Sequence, residues 1–201
     1  MAITTGLLVT CADLNSIGGI RQILITDVAN IATMLPAASN AAHSITELTT
    51  AIPWARFEFQ NETAGMTVTG TKTNGSTEYI VDLTFFVPYA NGARSAELAA
   101  LEGGCPVALV EYSTGIIMVI GLSYLYQSQS ATTPWIRNQT TAGLKTIEGG
   151  SGLLYSDLNG YTVTMSAKQY ELPYEYICAS PTAPSVNGIT ILAGDVTADT
   201  E

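Results

Sequence analysis

Residues 105–122, CPVALVEYSTGIIMVIGL, restrict the possible folds more than any other stretch of this chain. They are nearly all apolar, interrupted only by Glu111, Tyr112, Ser113, Thr114 and Gly115. The run approaches the ~20 apolar residues of a membrane-spanning helix. Val107, Leu109, Ile116, Ile117, Val119 and Ile120 are instead β-branched or strand-compatible, and the polar break with Gly115 supplies a hairpin turn. Each arm is apolar on successive rather than alternate residues. Such a strand has to be covered on both faces, by its own domain or by a neighbouring subunit.

Charge is scarce elsewhere too. Charged residues make up 12% of the chain, about half the share usual for a soluble domain. A monomer with so few charges has little with which to wet its whole surface, which favours a subunit of a larger assembly. The 201 residues are enough to bury a sizeable core in one domain. Seven Lys+Arg against 17 Asp+Glu give a net charge of −10. Arg21, Arg56, Lys72, Arg94, Arg137, Lys145 and Lys168 are scattered singly, so the chain should repel nucleic acid rather than grip its phosphates. Cys11, Cys105 and Cys178 lie far apart without a C-x-x-C, which argues against a disulfide framework or a zinc site and for folding in a reduced compartment. The opening MAITTGLLVTCAD has neither the basic start nor the apolar length of a signal peptide, and no segment is a better membrane candidate than 105–122.

Taken in order, residues 7–10 and 19–26 read as strands, the second with Ile23 and Ile25 on one face and Gln22 and Leu24 on the other. Residues 27–35 read as a short helix ended by Pro36 or as an irregular continuation, and 36–53 as a small-residue polar loop. Residues 56–60 and 66–69 alternate, and Asn74-Gly75 marks a tight turn. Residues 78–87 form one long strand, with Tyr79, Val81, Leu83, Phe85 and Val87 opposite Glu78, Ile80, Asp82 and Thr84. The pattern predicts a long two-stranded β-arm over 56–87 with a polar tip; an arm of this kind docks on something. Residues 93–102, stopped by Gly103-Gly104, read as a helix whose covered stripe is Ala93, Ala96 or Glu97, Ala100 and Leu101. Residues 124–139 read as loop, 161–167 as a strand with Tyr161, Val163 and Met165 inward, and 174–178 as one more strand. After Ser180 come a linker and an acidic end through Asp195, Asp199 and Glu201. The reading is mainly β with one short helix: a single domain over 1–180, then a linker and acidic tail over 181–201.

Motifs that carry chemistry are weak. His43, the single histidine, lies in a small-residue loop with no Cys or carboxylate at ligand spacing and reads as a solvated loop residue. Gly149-Gly150-Ser151-Gly152 lacks the following helix that a phosphate loop needs, and reads as a turn. Glu171 and Glu175 could be cast as the acid and base of a glycoside hydrolase. Pro173 between them and the lack of clustered cleft aromatics make two surface carboxylates the better reading. The N-x-[ST] matches at Asn61, Asn74 and Asn138 are expected by chance in a Thr-rich chain. No motif supports catalysis, a cofactor or a metal site.

The order of elements resembles a known family. A long arm, a strand ending FFVPYA, the helix ARSAELAALEGG, the hairpin VALVEYSTGIIMVIGL and the segment TAGLKTIEGGSGLLYSDLNGYTVTMSAKQYELPYEY together resemble tail tube proteins of tailed bacteriophages. The closest local likeness falls on 107–121 and 151–171, and Cys11 and Gly18-Gly19-Ile20 add to it. The resemblance implies a β-sandwich or barrel-like subunit with a flanking helix, assembled as hexameric rings stacked into a hollow tube. The same architecture serves contractile injection and type VI secretion tubes. It further implies that sheets join around a lumen, that loops or arms reach the adjacent ring, and that the partners are further copies and other tail proteins. DNA would pass through without specific binding. The location implied is the virion tail, assembled in the host cytoplasm. Against that background Glu58, Glu78 and Asp82 are candidate lumen-facing carboxylates, which would keep DNA sliding by repulsion. Gly65, Thr67, Thr69, Asn74 and Gly75 are candidate inter-ring contacts at the arm tip. A head decoration, neck or baseplate protein is the alternative, and an enzyme is a more distant one.

Overall fold

The apolar run at 105–122 forms a hairpin, and the rest of a mainly β structure is laid down on its two faces. A computed structural model describes residues 18–36, 43–57, 59, 62–122, 142–151, 159–177, 185–186 and 189–190. In chain order the elements are β1 (Ile20–Asp27), one 3-10 turn (Val28–Asn30), β2 (Ile31–Pro36), β3 (Ser44–Thr50), β4 (Ala55–Phe57), β5 (Gly65–Thr73) and β6 (Ser76–Pro88). Helix α1 (Gly92–Ala100) follows, then β7 (Pro106–Tyr112), β8 (Ile117–Ile120), β9 (Gly143–Gly150), β10 (Gly160–Gln169), β11 (Tyr174–Tyr176), β12 (Ser185–Val186) and β13 (Ile189–Thr190). Seven strands make one sheet in the order β2-β3-β11-β8-β7-β1-β4, and a second sheet runs β5-β6-β10-β9. Strands β12 and β13 pair with each other. The large sheet ends at β2 and β4 instead of closing on itself, so the barrel half of the expectation is not met.

β7 explains the layering. Its first six residues are all buried, and alternate side chains go to different cores. Ala108 and Val110 join Ile23, Ile25 and Ile120 against Val81, Leu83 and Phe85 of β6 and Val163, Met165 and Ala167 of β10. Val107 and Leu109 face the other way, into a cluster around Trp54 with Leu24, Met34, Ile45, Leu48, Ile117, Val119, Tyr174 and Tyr176. That second cluster draws on six strands of the large sheet, β1, β2, β3, β7, β8 and β11. The two-sided cover that the apolar run demands comes from within the chain. The turn between β7 and β8 contains Gly115 at φ +86, a conformation suited to glycine.

Several readings change. Residues 27–35 are not a helix: the Asp27 carboxylate accepts from Ala29 N at 2.8 Å, capping a single 3-10 turn before β2 begins. The other Asp27 oxygen accepts from Cys105 N at 2.8 Å, tying this turn to the start of β7. The stretch 36–53 contains a strand, β3, with Ile45 and Leu48 buried. β9 occupies a Gly-punctuated stretch that sequence left without a strand. The arm also differs, since β4 pairs with β1 in the large sheet. The hairpin proper is β5–β6, in continuous register from Gly65↔Thr84 to Thr73↔Ser76. Helix α1 is capped by Asn91, whose side chain accepts from Arg94 N at 2.8 Å. It buries Leu98 and Leu101, while Ala93, Ala96, Glu97 and Ala100 are exposed. Leucines three apart bury more apolar area than the alanine stripe does, and they decide which side packs. The reading of residues 7–10, 124–139 and the tail from 191 lies outside the described residues.

One polar group is taken into this apolar framework. A β-bulge at Arg21 sets both Arg21 and Gln22 opposite Glu111. Glu111 is buried, and it accepts from Gln22 Nε2 and, at 3.2 Å, from Arg21 Nη1, whose side chain is mostly exposed. Removing the carboxylate leaves a buried amide donor without its acceptor. Glu111→Ala should therefore lower unfolding stability by about 1–3 kcal/mol, measurable by urea denaturation, whereas Arg21→Ala, at the solvent side, should cost less.

Candidate functional site

The outward face of the four-stranded sheet is where the sequence-derived candidates converge. Alternation along β6 puts Val81, Leu83, Phe85 and Val87 in the core, leaving Glu78, Ile80, Asp82 and Thr84 on the other side. Register then fixes what lies beside them. Thr67, Thr69 and Thr71 of β5 stand opposite Asp82, Ile80 and Glu78. Thr164, Ser166 and Lys168 of β10 stand opposite Thr84, Asp82 and Ile80. Thr146 and Glu148 of β9 continue the same face beyond β10. The Thr84 and Thr164 hydroxyls are 3.2 Å apart, a cross-strand hydrogen bond of the kind that stabilises paired strands. The face is a field of short hydroxyl side chains.

Two of its three carboxylates, Glu78 and Asp82, are matched by cations. Lys168 Nζ lies 2.7 Å from Glu78 Oε1, and the pairing raises the Lys168 pKa. Lys145 Nζ lies 3.2 Å from Asp82 Oδ2. Lys145 reaches it because the β9–β10 register slips between Thr146 and Leu144, making Lys145 the extra residue of a bulge. The Ser166 hydroxyl, then the Lys145 ammonium, hold the Asp82 carboxyl below its ordinary value of 3.8, against the opposing effect of partial burial. Glu58, the third candidate, lies outside the described residues. Glu78 and Asp82 do share this face, each paired with a lysine, and Glu148 keeps it acidic by one charge. The sequence contains no sign of those pairs, which join residues 90 and 63 positions apart.

The tip candidates separate. Asn74 at φ 51 and Gly75 at φ +84 form the turn itself, as the Asn-Gly dipeptide predicts. Gly65, Thr67 and Thr69 are not at the tip; they run along β5, level with Thr84, Asp82 and Ile80. β5 and β9 are the two edge strands, and among the described residues neither has a strand on its outer side. Beyond Met66 every residue of β5 is exposed, so the end of the hairpin stands clear of the core.

Other candidates for chemistry stay apart from this face. The His43 ring is not simply solvated: it stacks on Tyr174 at 4.0 Å and 15°, and its Nε2 donates to the Leu172 carbonyl at 2.6 Å. Glu171 accepts from the Tyr174 hydroxyl at 2.7 Å, and Glu175 lies within β11 between β3 and β8. Gly149 and Gly150 pair with Tyr161 and Gly160 as the end of β9, rather than opening a loop. Among the described residues no group of His, Cys, Asp or Glu could hold a metal ion, and no helix is long and apolar enough to cross a membrane. No protein-family model matches this sequence, and no curated protein matches it.

The pairing of Asp82 has a defined pH signature. A carboxylate with a lowered folded-state pKa contributes stability above its unfolded pKa, and that contribution is lost as pH falls through the folded value. The stability difference between the native protein and Asp82→Asn should be present near neutral pH and shrink towards about pH 3. Urea midpoints at both pH values test this, and an unchanged difference would contradict the assigned pairing.

Proposed function

We propose that this chain is a structural virion protein, a tail tube subunit whose copies close into rings and stack into a conduit for phage DNA. The observation that carries the reading is the four-stranded sheet, whose edges are open among the described residues and whose outward face is rich in hydroxyls and paired charges. An exposed edge row of N–H and C=O groups is a template for another strand. Joining β5 of one copy to β9 of the next would satisfy both edges and repeat around a ring. The Thr-rich face would then line the interior. Lys145 and Lys168 are each engaged by a carboxylate on that face, which leaves little there to hold a phosphate. The overall charge of −10 opposes DNA binding as well. Hexameric rings, other tail proteins as partners and a place in the virion tail follow from the family resemblance and belong to this proposal.

The competing reading is a head decoration, neck or baseplate protein, which could have the same β composition. An enzyme, such as a glycoside hydrolase acting through Glu171 and Glu175, has less support, since Glu171 is engaged by Tyr174.

Negative-stain microscopy of the concentrated pure protein separates these readings. Tubes of uniform diameter are expected; plaques or isolated rings would favour the decoration or neck reading. Deleting residues 70–79, which pair across the hairpin end, should leave soluble rings or monomers that no longer stack.

A further inference from the structure

Asparagine followed by glycine occurs four times, at 74–75, 91–92, 159–160 and 187–188. A glycine has no side chain to shield its amide nitrogen or restrict its backbone, so in this dipeptide the nitrogen reaches the asparagine side chain most readily. The first three pairs fall among the described residues, and the fold treats them differently. Asn91 caps α1, its side-chain oxygen accepting from Arg94 N at 2.8 Å. Asn159 accepts from Ala90 N at 3.2 Å through its side chain and from Tyr89 N at 2.7 Å through its backbone carbonyl. Gly160, which follows it, is buried and paired on both sides, with Pro88 of β6 and Gly150 of β9. The Val87 carbonyl and the Phe86 ring pack closely against it.

None of these restraints acts on Asn74. Asn74 and Gly75 are both exposed, in the turn beyond Thr73 and Ser76, the last pair of the β5–β6 ladder. Among the described residues no hydrogen bond holds the Asn74 side chain or the Gly75 amide. A Cβ built on Gly75 meets nothing within 4 Å. We propose that Asn74 is a site of deamidation by water, and that it converts ahead of the other two. The Gly75 amide nitrogen gives up its proton and attacks Asn74 Cγ. A C–N bond forms, the Cγ–Nδ2 bond breaks, and Nδ2 leaves as ammonia, giving a cyclic succinimide. Water then opens that ring at either carbonyl, leaving aspartate or isoaspartate. Each conversion adds a carboxylate at the hairpin end of a chain already at net −10. Asp-Gly suits the same two-residue turn, whereas the isoaspartyl form lengthens the turn's backbone by one carbon. The site belongs to the single subunit and is independent of the tube reading.

Peptide mapping by mass spectrometry of the full-length folded protein, aged at neutral pH, tests the assignment. Conversion at Asn74 should be at least about fivefold faster than at Asn91 or Asn159, since one hydrogen bond of ordinary net strength restrains a side chain by about that factor. In concentrated urea the three rates should converge, because the same dipeptide is then free at every position. Equal rates in the folded protein, or conversion led by Asn91 or Asn159, would overturn the proposal. A lead for Asn74 that persists undiminished in urea would also overturn it, by assigning the preference to flanking sequence instead of the fold.

Discussion

β7 has to be buried on both faces, and the other elements can be placed by asking which of them supplies each cover. Ala108 and Val110 need a layer on one side, provided by β6, β10 and the leucines of α1. Val107 and Leu109 need one on the other, provided by the cluster around Trp54 to which β2, β3 and β11 contribute. A strand with a polar face could have stood at the margin of a domain. This one cannot, because each exposed apolar side chain would forgo roughly 1.5–3 kcal/mol of burial. The fold is arranged outward from it, and the two long edge strands of the small sheet, β5 and β9, lie in the outer layer. The strand at the centre of the core and the strands that end the small sheet are thereby different ones.

That division bears on function. The hairpin at 105–122 is covered within its own chain, so an assembly would have to be built from elsewhere on the surface. The small sheet offers the means: two unpaired edges among the described residues, an outward face of hydroxyls and paired charges, and a projecting turn. Paired charges suit a passive wall better than bare carboxylates would. They keep the face wetted without creating a strong field of either sign, and in the proposed conduit the net negative charge of the chain would supply the overall repulsion of DNA.

Much of this was legible in the sequence wherever a local pattern decides the outcome. The alternation in β6 and β10, the Asn-Gly turn and the doubly apolar hairpin follow from side-chain period and turn chemistry, and all are present. The losses have a common cause. β3 carries few apolar residues, and what makes it a strand is non-local pairing with β2 and, in parallel, with β11. β9 is punctuated by glycines whose poor strand propensity is offset by Tyr161 covering Gly149. Of the stripe expected on helix α1 only Leu101 is buried, and packing is decided by it together with Leu98. At the candidate site, Glu78 and Asp82 could be placed on one face by alternation. Their lysines could not, because those arrive from β9 and β10 through register and a bulge that the sequence does not announce. The left-handed backbone of Tyr89, at φ 62, likewise depends on Asn159, whose carbonyl accepts from Tyr89 N where β6 and β10 pair.

In the proposed assembly, core and contact surfaces are separate: β7 is sealed inside each subunit, and the β5 and β9 edges would pair with other copies. Amide hydrogen exchange, compared between dilute dispersed protein and the concentrated assembled form, tests that claim directly. β7 should be among the slowest-exchanging strands in both states, and the outward amides of β5 and β9 should exchange rapidly when dispersed and become protected on assembly. Fast exchange of β7 in the dispersed protein, with protection gained there on assembly and none at the edges, would contradict it.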